Sequence, residues 1–254
     1  MNGLDDGMIT ALTHEMLTVI DIAGLLVDPV FYGIGRARGD GKPVVVIPGF
    51  LGNDFYLQVL HKWLRCAGYM PIESSLNINA GCPERVTRQV LDHITSQLDG
   101  NSSSIALIGH SRGGGLAWAL ASHFQERVSH LVMLGAPVTS MMASVEAGKP
   151  VTTPVGPPAR TLMRLSTTIR HAMDPDCDFP KCGCPFAANL IRPLSPSTQI
   201  LSIYGRDDSF VSKESQITEG EILEVNTGHL GLVFHPAVYH ALGRFLARDS
   251  RAHA

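Results

Sequence analysis

The sequence predicts an α/β fold, with a mainly parallel, doubly wound sheet that carries helices on both faces. Three observations support this prediction. Apolar, β-branched runs alternate with segments of helical spacing, one of these runs leads into a glycine-flanked serine, and two later runs lead into an aspartate and a histidine. With 254 residues, 44% of them hydrophobic, the chain can bury one substantial core. We therefore expect a single domain over residues 1–254.

The alternation extends through most of the chain. The predicted strands are 44–47, 70–74, 105–108, 128–134, 199–204 and 221–225. The predicted helices between and after them are 55–67, 83–98, 114–124 and 236–247.

Two segments lie outside this alternation. A helical segment over about 8–35 has apolar positions that include Leu12, Met16, Ile20 and Leu26, and this spacing favours packing on the core. The interval of about 137–198 is rich in proline and glycine, and insertions of this length in a compact domain are typical of lids.

The most informative segment runs from Ile108 to Gly114, where an apolar strand enters a G-x-S-x-G turn. Such a turn is typical of a nucleophile elbow, which holds a serine hydroxyl clear of the sheet. Gly109 and Gly113 stand where a side chain would collide with neighbouring backbone. Ser111 is therefore the candidate nucleophile, and the start of the next helix presents a positive dipole end beside it.

A serine at neutral pH needs a base to remove its proton and an acid to hold that base. Asp207 and Asp208 both follow the strand at 199–204, and the spacing of the loop favours Asp208. His229 follows the last strand on a glycine-flanked loop, which makes it the candidate base. His235 and His240, at and within the last helix, are weaker candidates.

The chemistry also needs donors for the oxyanion. One is expected from the backbone N–H of Arg112, the residue after the serine, and a second from the glycine-rich loop at 48–52, where the N–H of Phe50 can turn inward. We expect His110 to pack behind the serine, because adjacent residues in such a turn point apart.

These pieces, in this order, resemble the alpha/beta-hydrolase superfamily over most of the chain outside the first forty or so residues and the insertion. More narrowly, segments 48–52, 79–83, 182–186 and 228–232 are similar to a bacterial lipase and esterase group. The resemblance implies a catalytic triad of Ser111, Asp208 and His229, with Phe50 and Arg112 forming the oxyanion hole. It implies hydrolysis of carboxylic esters with hydrophobic acyl chains or alcohols, without a metal or organic cofactor.

Two other functions stay open, an acyltransferase with the same triad and a non-catalytic binding protein on the same scaffold. The expected partner is a small-molecule or lipid ester. A net charge of −3 without a basic cluster argues against nucleic acid. The acidic start and the interrupted apolar stretches predict no export signal and no transmembrane span, hence a cytoplasmic location, with peripheral membrane contact as an alternative. Oligomeric state is left open.

The five cysteines include three in the predicted lid, Cys177, Cys182 and Cys184. Their spacing supplies three ligands at an unusual interval, whereas a structural zinc site commonly has four. A local disulfide and simple buried thiols are the favoured alternatives to zinc.

Overall fold

The computed structural model describes residues 18–34, 39–98, 104–150, 157–216 and 219–248. Within these ranges, all the paired strands are parallel and form one sheet in the order β2-β1-β3-β4-β5-β6. The strands are β1 (Pro43–Ile47), β2 (Met70–Ile72), β3 (Ile105–His110), β4 (Val128–Leu134), β5 (Gln199–Gly205) and β6 (Glu221–Val225). The order reverses direction at β1 and β3, and the carboxyl ends of all strands meet at one edge.

Helices connect the strands and precede or follow them. They are α1 (Thr18–Val27), α2 (Gln58–Cys66), α3 (Pro83–Gln97), α4 (Arg112–Phe124), α5 (Val138–Ala147), α6 (Pro157–Met173), α7 (Pro185–Ile191) and α8 (Pro236–Phe245). Short 3-10 turns occur at Pro29–Tyr32, Gln125–Arg127, Lys213–Ser215 and Gly231–Val233. No described helix is long and apolar enough to cross a membrane.

The sheet separates two hydrophobic cores, because successive strand side chains point to opposite faces. Val44 and Val46 of β1 pack on one side with α2 and α8, whereas Val45 and Ile47 pack on the other side with α3 and α4. Strands β1, β3 and β4 are buried along their whole length, as expected for parallel strands that are covered on both faces. The fold class predicted from the sequence is thus confirmed.

The ends of two elements differ from the sequence prediction for identifiable reasons. Strand β2 ends at Ile72 instead of continuing to residue 74, because the backbone N–H and hydroxyl of Ser74 both donate to Asp54, each at 2.9 Å. Helix α2 begins at Gln58, not at Phe55. Residues 55–57 form a turn in which the N–H of Leu57 donates to the carbonyl of Asp54.

Helix α1 contains part of the predicted N-terminal segment, whose residues 1–17 and 35–38 lie outside the described ranges. The prediction that Ile20 and Leu26 face the core is wrong, since their side chains are 66% and 45% exposed. Leu25 is buried in their place. Leu12 and Met16 belong to the residues that are not described.

The predicted insertion at 137–198 holds α5, α6 and α7, and residues 151–156 within it are not described. Helix α7 packs on α4, and its Phe186 and Leu190 are fully buried in the core that also holds α4. Helices α5 and α6 lie beside the start of α4, where the candidate site is found.

Candidate active site

Ser111 occupies the single-residue connection between β3 and α4. Its backbone has φ 53° and ψ −126°, a conformation that ordinary side chains rarely adopt and that costs about 1–3 kcal/mol. A side chain on Gly109 would overlap the carbonyl of Gly113, and one on Gly113 would overlap the carbonyl of Ile47. Both glycines are thus required by the close approach of β1, β3 and α4, which holds the serine in this strained turn.

Asp208 and His229 form a buried pair at the same edge of the sheet. The Oδ2 atom of Asp208 lies 2.7 Å from Nδ1 of His229, and the two side chains are 1% and 7% exposed. The other carboxylate oxygen accepts hydrogen bonds from the backbone N–H groups of Phe210 and Val211, each at 2.9 Å. These contacts hold the carboxylate in one orientation. Because Nδ1 faces Asp208, Nε2 lies on the side of the imidazole ring that points away from the carboxylate.

Gly135 allows this pair to form. It has φ +56°, and a Cβ there would lie 3.2 Å from both Oδ2 of Asp208 and Nδ1 of His229. It would also approach Leu232 to 2.9 Å. Any other residue would therefore be strained and would push the two partners apart.

A chain of hydrogen bonds links the loop after β1 to the His229 loop. The N–H of Gly49 donates to the Tyr56 hydroxyl at 2.7 Å, and this hydroxyl lies 2.9 Å from Nδ1 of His110. The Nε2 atom of His110 is 3.1 Å from the carbonyl oxygen of His229. Since a carbonyl can only accept, His110 donates from Nε2 and accepts from Tyr56 at Nδ1.

His110 must be neutral to play both of these roles. Burial, reinforced by the neighbouring His229, lowers the pKa of His110 to about 3. The rings of His110 and His229 are 4.9 Å apart between centroids, so the imidazole of His229 lies beside the residue that precedes Ser111. His110 thus packs behind the serine turn, and Tyr56 is a site residue that sequence reasoning missed.

The backbone amides around Phe50, in the loop after β1, differ in their hydrogen bonding. The N–H groups on either side of Phe50 are engaged, that of Gly49 by Tyr56 and that of Leu51 by the carbonyl of Asn79 at 3.0 Å. The N–H of Phe50 has no hydrogen-bond partner among the described residues. Asn79 further binds the carbonyl of Pro48 through its side chain at 2.6 Å, so it holds the loop in place.

Arg112 is the first residue of α4, and its backbone N–H therefore has no acceptor within the helix. Its guanidinium donates to the carbonyl of Gly81 at 2.8 Å and lies 5.9 Å from the centre of the Phe50 ring. Burial lowers the pKa of Arg112 to about 10, which still leaves it charged at neutral pH.

Ser111 and Arg112 open on a cavity of about 240 Å³. Apolar side chains form most of its wall, from the β1 loop, α5, α6 and the loops that follow, and they include Phe50, Met141, Leu162, Met163, Phe179 and Phe210. The predicted insertion therefore supplies much of the wall beside Ser111.

The two weaker candidates for the base, His235 and His240, make other contacts. The Nδ1 atom of His235 accepts from the N–H of Ala237 and so caps α8. His240 lies 2.9 Å from Asp28, which precedes the first 3-10 turn. The structure thus brings Asp208 and His229 together beside Ser111, whereas both rival histidines are engaged by other groups near α1 and α8.

The cysteines of the insertion adopt two arrangements. Cys182 and Cys184 form a disulfide, one of the alternatives left open by the sequence. The Sγ of Cys177 lies 2.7 Å from the Sγ of Cys82, the residue that precedes α3. Asp174 also contacts the start of α3, where its carboxylate accepts from the N–H of Cys82 at 2.6 Å and pairs with Arg85. These contacts attach the loop after α6 to the start of α3.

The comparisons with known proteins agree with this architecture. A family model described as alpha/beta hydrolase fold matches residues 87–155, which span Ser111 and the strands on either side of it. No curated protein matches the sequence.

Among solved structures, an alpha/beta superfamily hydrolase from Oenococcus oeni PSU-1 has a TM-score of 0.56 at 17% identity, covering 83% of this chain and 97% of its own. Alpha/beta hydrolase GrgF from Penicillium sp. sh18 has a TM-score of 0.55 at 17% identity, with coverages of 83% and 91%. The monoacylglycerol lipase of Paleococcus ferrophilus has a TM-score of 0.54 at 15% identity, with coverages of 84% and 96%.

The chain therefore has the alpha/beta-hydrolase fold, as the resemblance noted in its sequence implies. Identities this low establish the fold and leave the reaction and the substrate to be argued from the site.

Proposed function

We propose that the protein hydrolyses carboxylic esters through an acyl-enzyme intermediate. Ser111 attacks the ester carbonyl, Nε2 of His229 takes the serine proton and returns it to the leaving alcohol, and Asp208 holds the imidazole and stabilises its charged form. Water then releases the acid by the same steps in reverse order. The observation that carries the proposal is the buried Asp208–His229 pair, 2.7 Å apart, beside a serine in a strained strand-to-helix turn.

Two backbone amides are proposed to bind the oxyanion. The N–H of Phe50 has no partner among the described residues although both adjacent amides are bonded, and the N–H of Arg112 stands at the positive end of α4. Each donor of this kind typically contributes about 3 kcal/mol to transition-state stabilisation. No step of this reaction needs a metal or an organic cofactor.

The mostly apolar wall of the cavity suggests esters with hydrophobic acyl chains. We propose that α5 and α6 act as a lid whose apolar side chains contact the acyl chain. In a series of para-nitrophenyl esters, kcat/KM should rise with chain length as long as each added methylene still contacts the apolar wall, and then fall. A preference for palmitate at an interface would indicate a lipase instead.

The first test is Ser111→Ala. This variant should fold, lose turnover of para-nitrophenyl butyrate and lose covalent labelling by a fluorophosphonate probe. Ser96→Ala, on an exposed position of α3 far from the cavity, is the matched control and should keep both. Full activity of Ser111→Ala would refute the assignment. Absence of labelling and turnover in the natural protein with every activated ester would favour a binding protein, whereas acyl transfer to an added alcohol would identify an acyltransferase.

A further inference from the structure

Two arginine side chains from different elements reach the wall of the cavity that contains Ser111. Arg112 comes from the start of α4 and Arg170 from the last turn of α6. The hydrogen bond with Arg85 lowers the pKa of Asp174, and the nearby charge of Arg112 contributes to the same shift. Burial lowers the pKa of Arg112, and the nearby charges of Arg170 and Arg85 contribute. The apolar cavity therefore has cationic groups concentrated on one part of its wall.

The carboxylate of Asp174 does not neutralise the positive charges of Arg112 and Arg170. Asp174 is occupied by Arg85, through two hydrogen bonds of 2.6 and 2.9 Å, and by the N–H of Cys82. Neither Arg112 nor Arg170 makes an ion pair with any residue that the structure describes. Their contacts are with neutral groups, the carbonyl of Gly81 for Arg112 and the carbonyl of Phe179 for Arg170.

Both guanidinium groups have N–H donors that make no hydrogen bond with the described residues. A guanidinium has five N–H groups, and the Nε of Arg170 is buried without a hydrogen-bond partner among the described residues. Withdrawing a charge from water without a counter-ion is unfavourable, so two partly buried cations without an ion-pair partner among the described residues favour an anionic ligand beside them. The planar fork of arginine matches a carboxylate, which it binds through two parallel hydrogen bonds.

We propose that the acyl chain of the natural ester carries a carboxylate at its far end, and that Arg170, with Arg112, binds it while Met141 and Leu162 contact the apolar carbons between. This inference rests on the proposed ester hydrolysis. The acyl part is the relevant one because it stays bonded to Ser111 after the alcohol has left, so it is the part that the cavity wall must hold. The substrate is then a half-ester of a dicarboxylic acid, in contrast to the uncharged ester expected from the sequence alone.

The test compares two esters that match in chain length. The para-nitrophenyl monoester of adipic acid ends in a carboxylate, and para-nitrophenyl hexanoate ends in a methyl group. The natural protein should favour the adipate ester in kcat/KM by about tenfold or more, the scale of one charge-assisted hydrogen bond. Arg170→Met, which keeps an apolar stem, should reduce this ratio by about the same factor, and Arg170→Lys should reduce it less because it keeps the charge.

Arg164→Met is the matched control. Arg164 lies on the same helix, is exposed and does not reach the cavity, so its replacement should leave the ratio unchanged. A structural role of Arg170 would lower kcat/KM for both esters equally and leave the ratio constant, which would overturn the proposal. A natural protein that hydrolyses the hexanoate ester as fast as the adipate ester or faster would also overturn it, without affecting the assignment of Ser111.

A binding measurement separates this proposal from the reaction itself. The monoamide of adipic acid, which keeps one free carboxylate, should bind to the natural protein in isothermal titration calorimetry more tightly than hexanamide, which has none, and Arg170→Met should remove the difference. If no ester were hydrolysed, Arg170-dependent binding of the monoamide would still support an anion site in the cavity. Equal binding of the monoamide and hexanamide would overturn it.

Discussion

Replacing Tyr56 with phenylalanine removes one hydroxyl that serves two buried partners at once. The N–H of Gly49 loses its acceptor at 2.7 Å, and Nδ1 of His110 loses its donor at 2.9 Å. Leaving a buried polar group without a partner costs about 1–3 kcal/mol. The free energy of unfolding should therefore fall by about 2–6 kcal/mol, a large part of the total for an ordinary domain.

Urea unfolding followed by circular dichroism measures this loss, and Tyr69→Phe provides the matched control. Tyr69 is 6% exposed, and its hydroxyl makes no hydrogen bond with the described residues. Its replacement should change stability by less than about 0.5 kcal/mol. If Tyr56→Phe destabilised the protein no more than Tyr69→Phe, the hydrogen-bond chain from Gly49 to His229 would be refuted.

The same replacement should also slow ester turnover, because the chain connects the loop that presents the Phe50 amide to the loop that carries His229. A displaced amide and imidazole affect the transition state more than substrate binding. We therefore expect Tyr56→Phe to lower kcat more than it raises KM. An unchanged kcat in a folded variant would show that Tyr56 serves stability alone.

Three further outcomes are expected. Asp208→Asn should keep the fold and lower kcat by about 10³ to 10⁴, because the amide favours the wrong tautomer of the histidine, and only a small loss on para-nitrophenyl butyrate would exclude the aspartate as triad acid. Burial lowers the pKa values of His110 and His130 to about 3 and about 4, below their unfolded value of 6.5, so their stabilising effect is complete above pH 6.5 and is lost as pH falls toward these values. Urea unfolding between pH 7 and pH 5 should show a decline of up to about 1.4 kcal/mol per pH unit for each histidine, and His130→Gln should make the decline shallower. Iodoacetamide at neutral pH should modify the exposed thiol of Cys66 well before that of Cys177, whose pKa is raised by burial and by its neighbouring thiol, and equal rates by mass spectrometry would contradict this.

Local sequence patterns were sufficient for the alternation of strands and helices and for the serine turn. The G-x-S-x-G motif carries its own steric requirement, since a side chain at position 109 or 113 would overlap neighbouring backbone. The order of strand ends along the chain likewise indicated Asp208 and His229, because a parallel sheet brings its carboxyl ends to one edge. The element ends at Phe55 and Ser74 could not be predicted, since the capping contacts of Asp54 are made across the loop.

What the sequence by itself determined is the set of elements and the residues at their ends, since both follow from short-range periodicity and from the sterics of glycine. Only the tertiary structure decided which of these residues meet. The contact of Tyr56 with His110, and the convergence of Arg112 and Arg170 on one cavity, join segments that are 54 and 58 positions apart. No local propensity encodes such contacts, because they arise from how helices pack across a folded sheet.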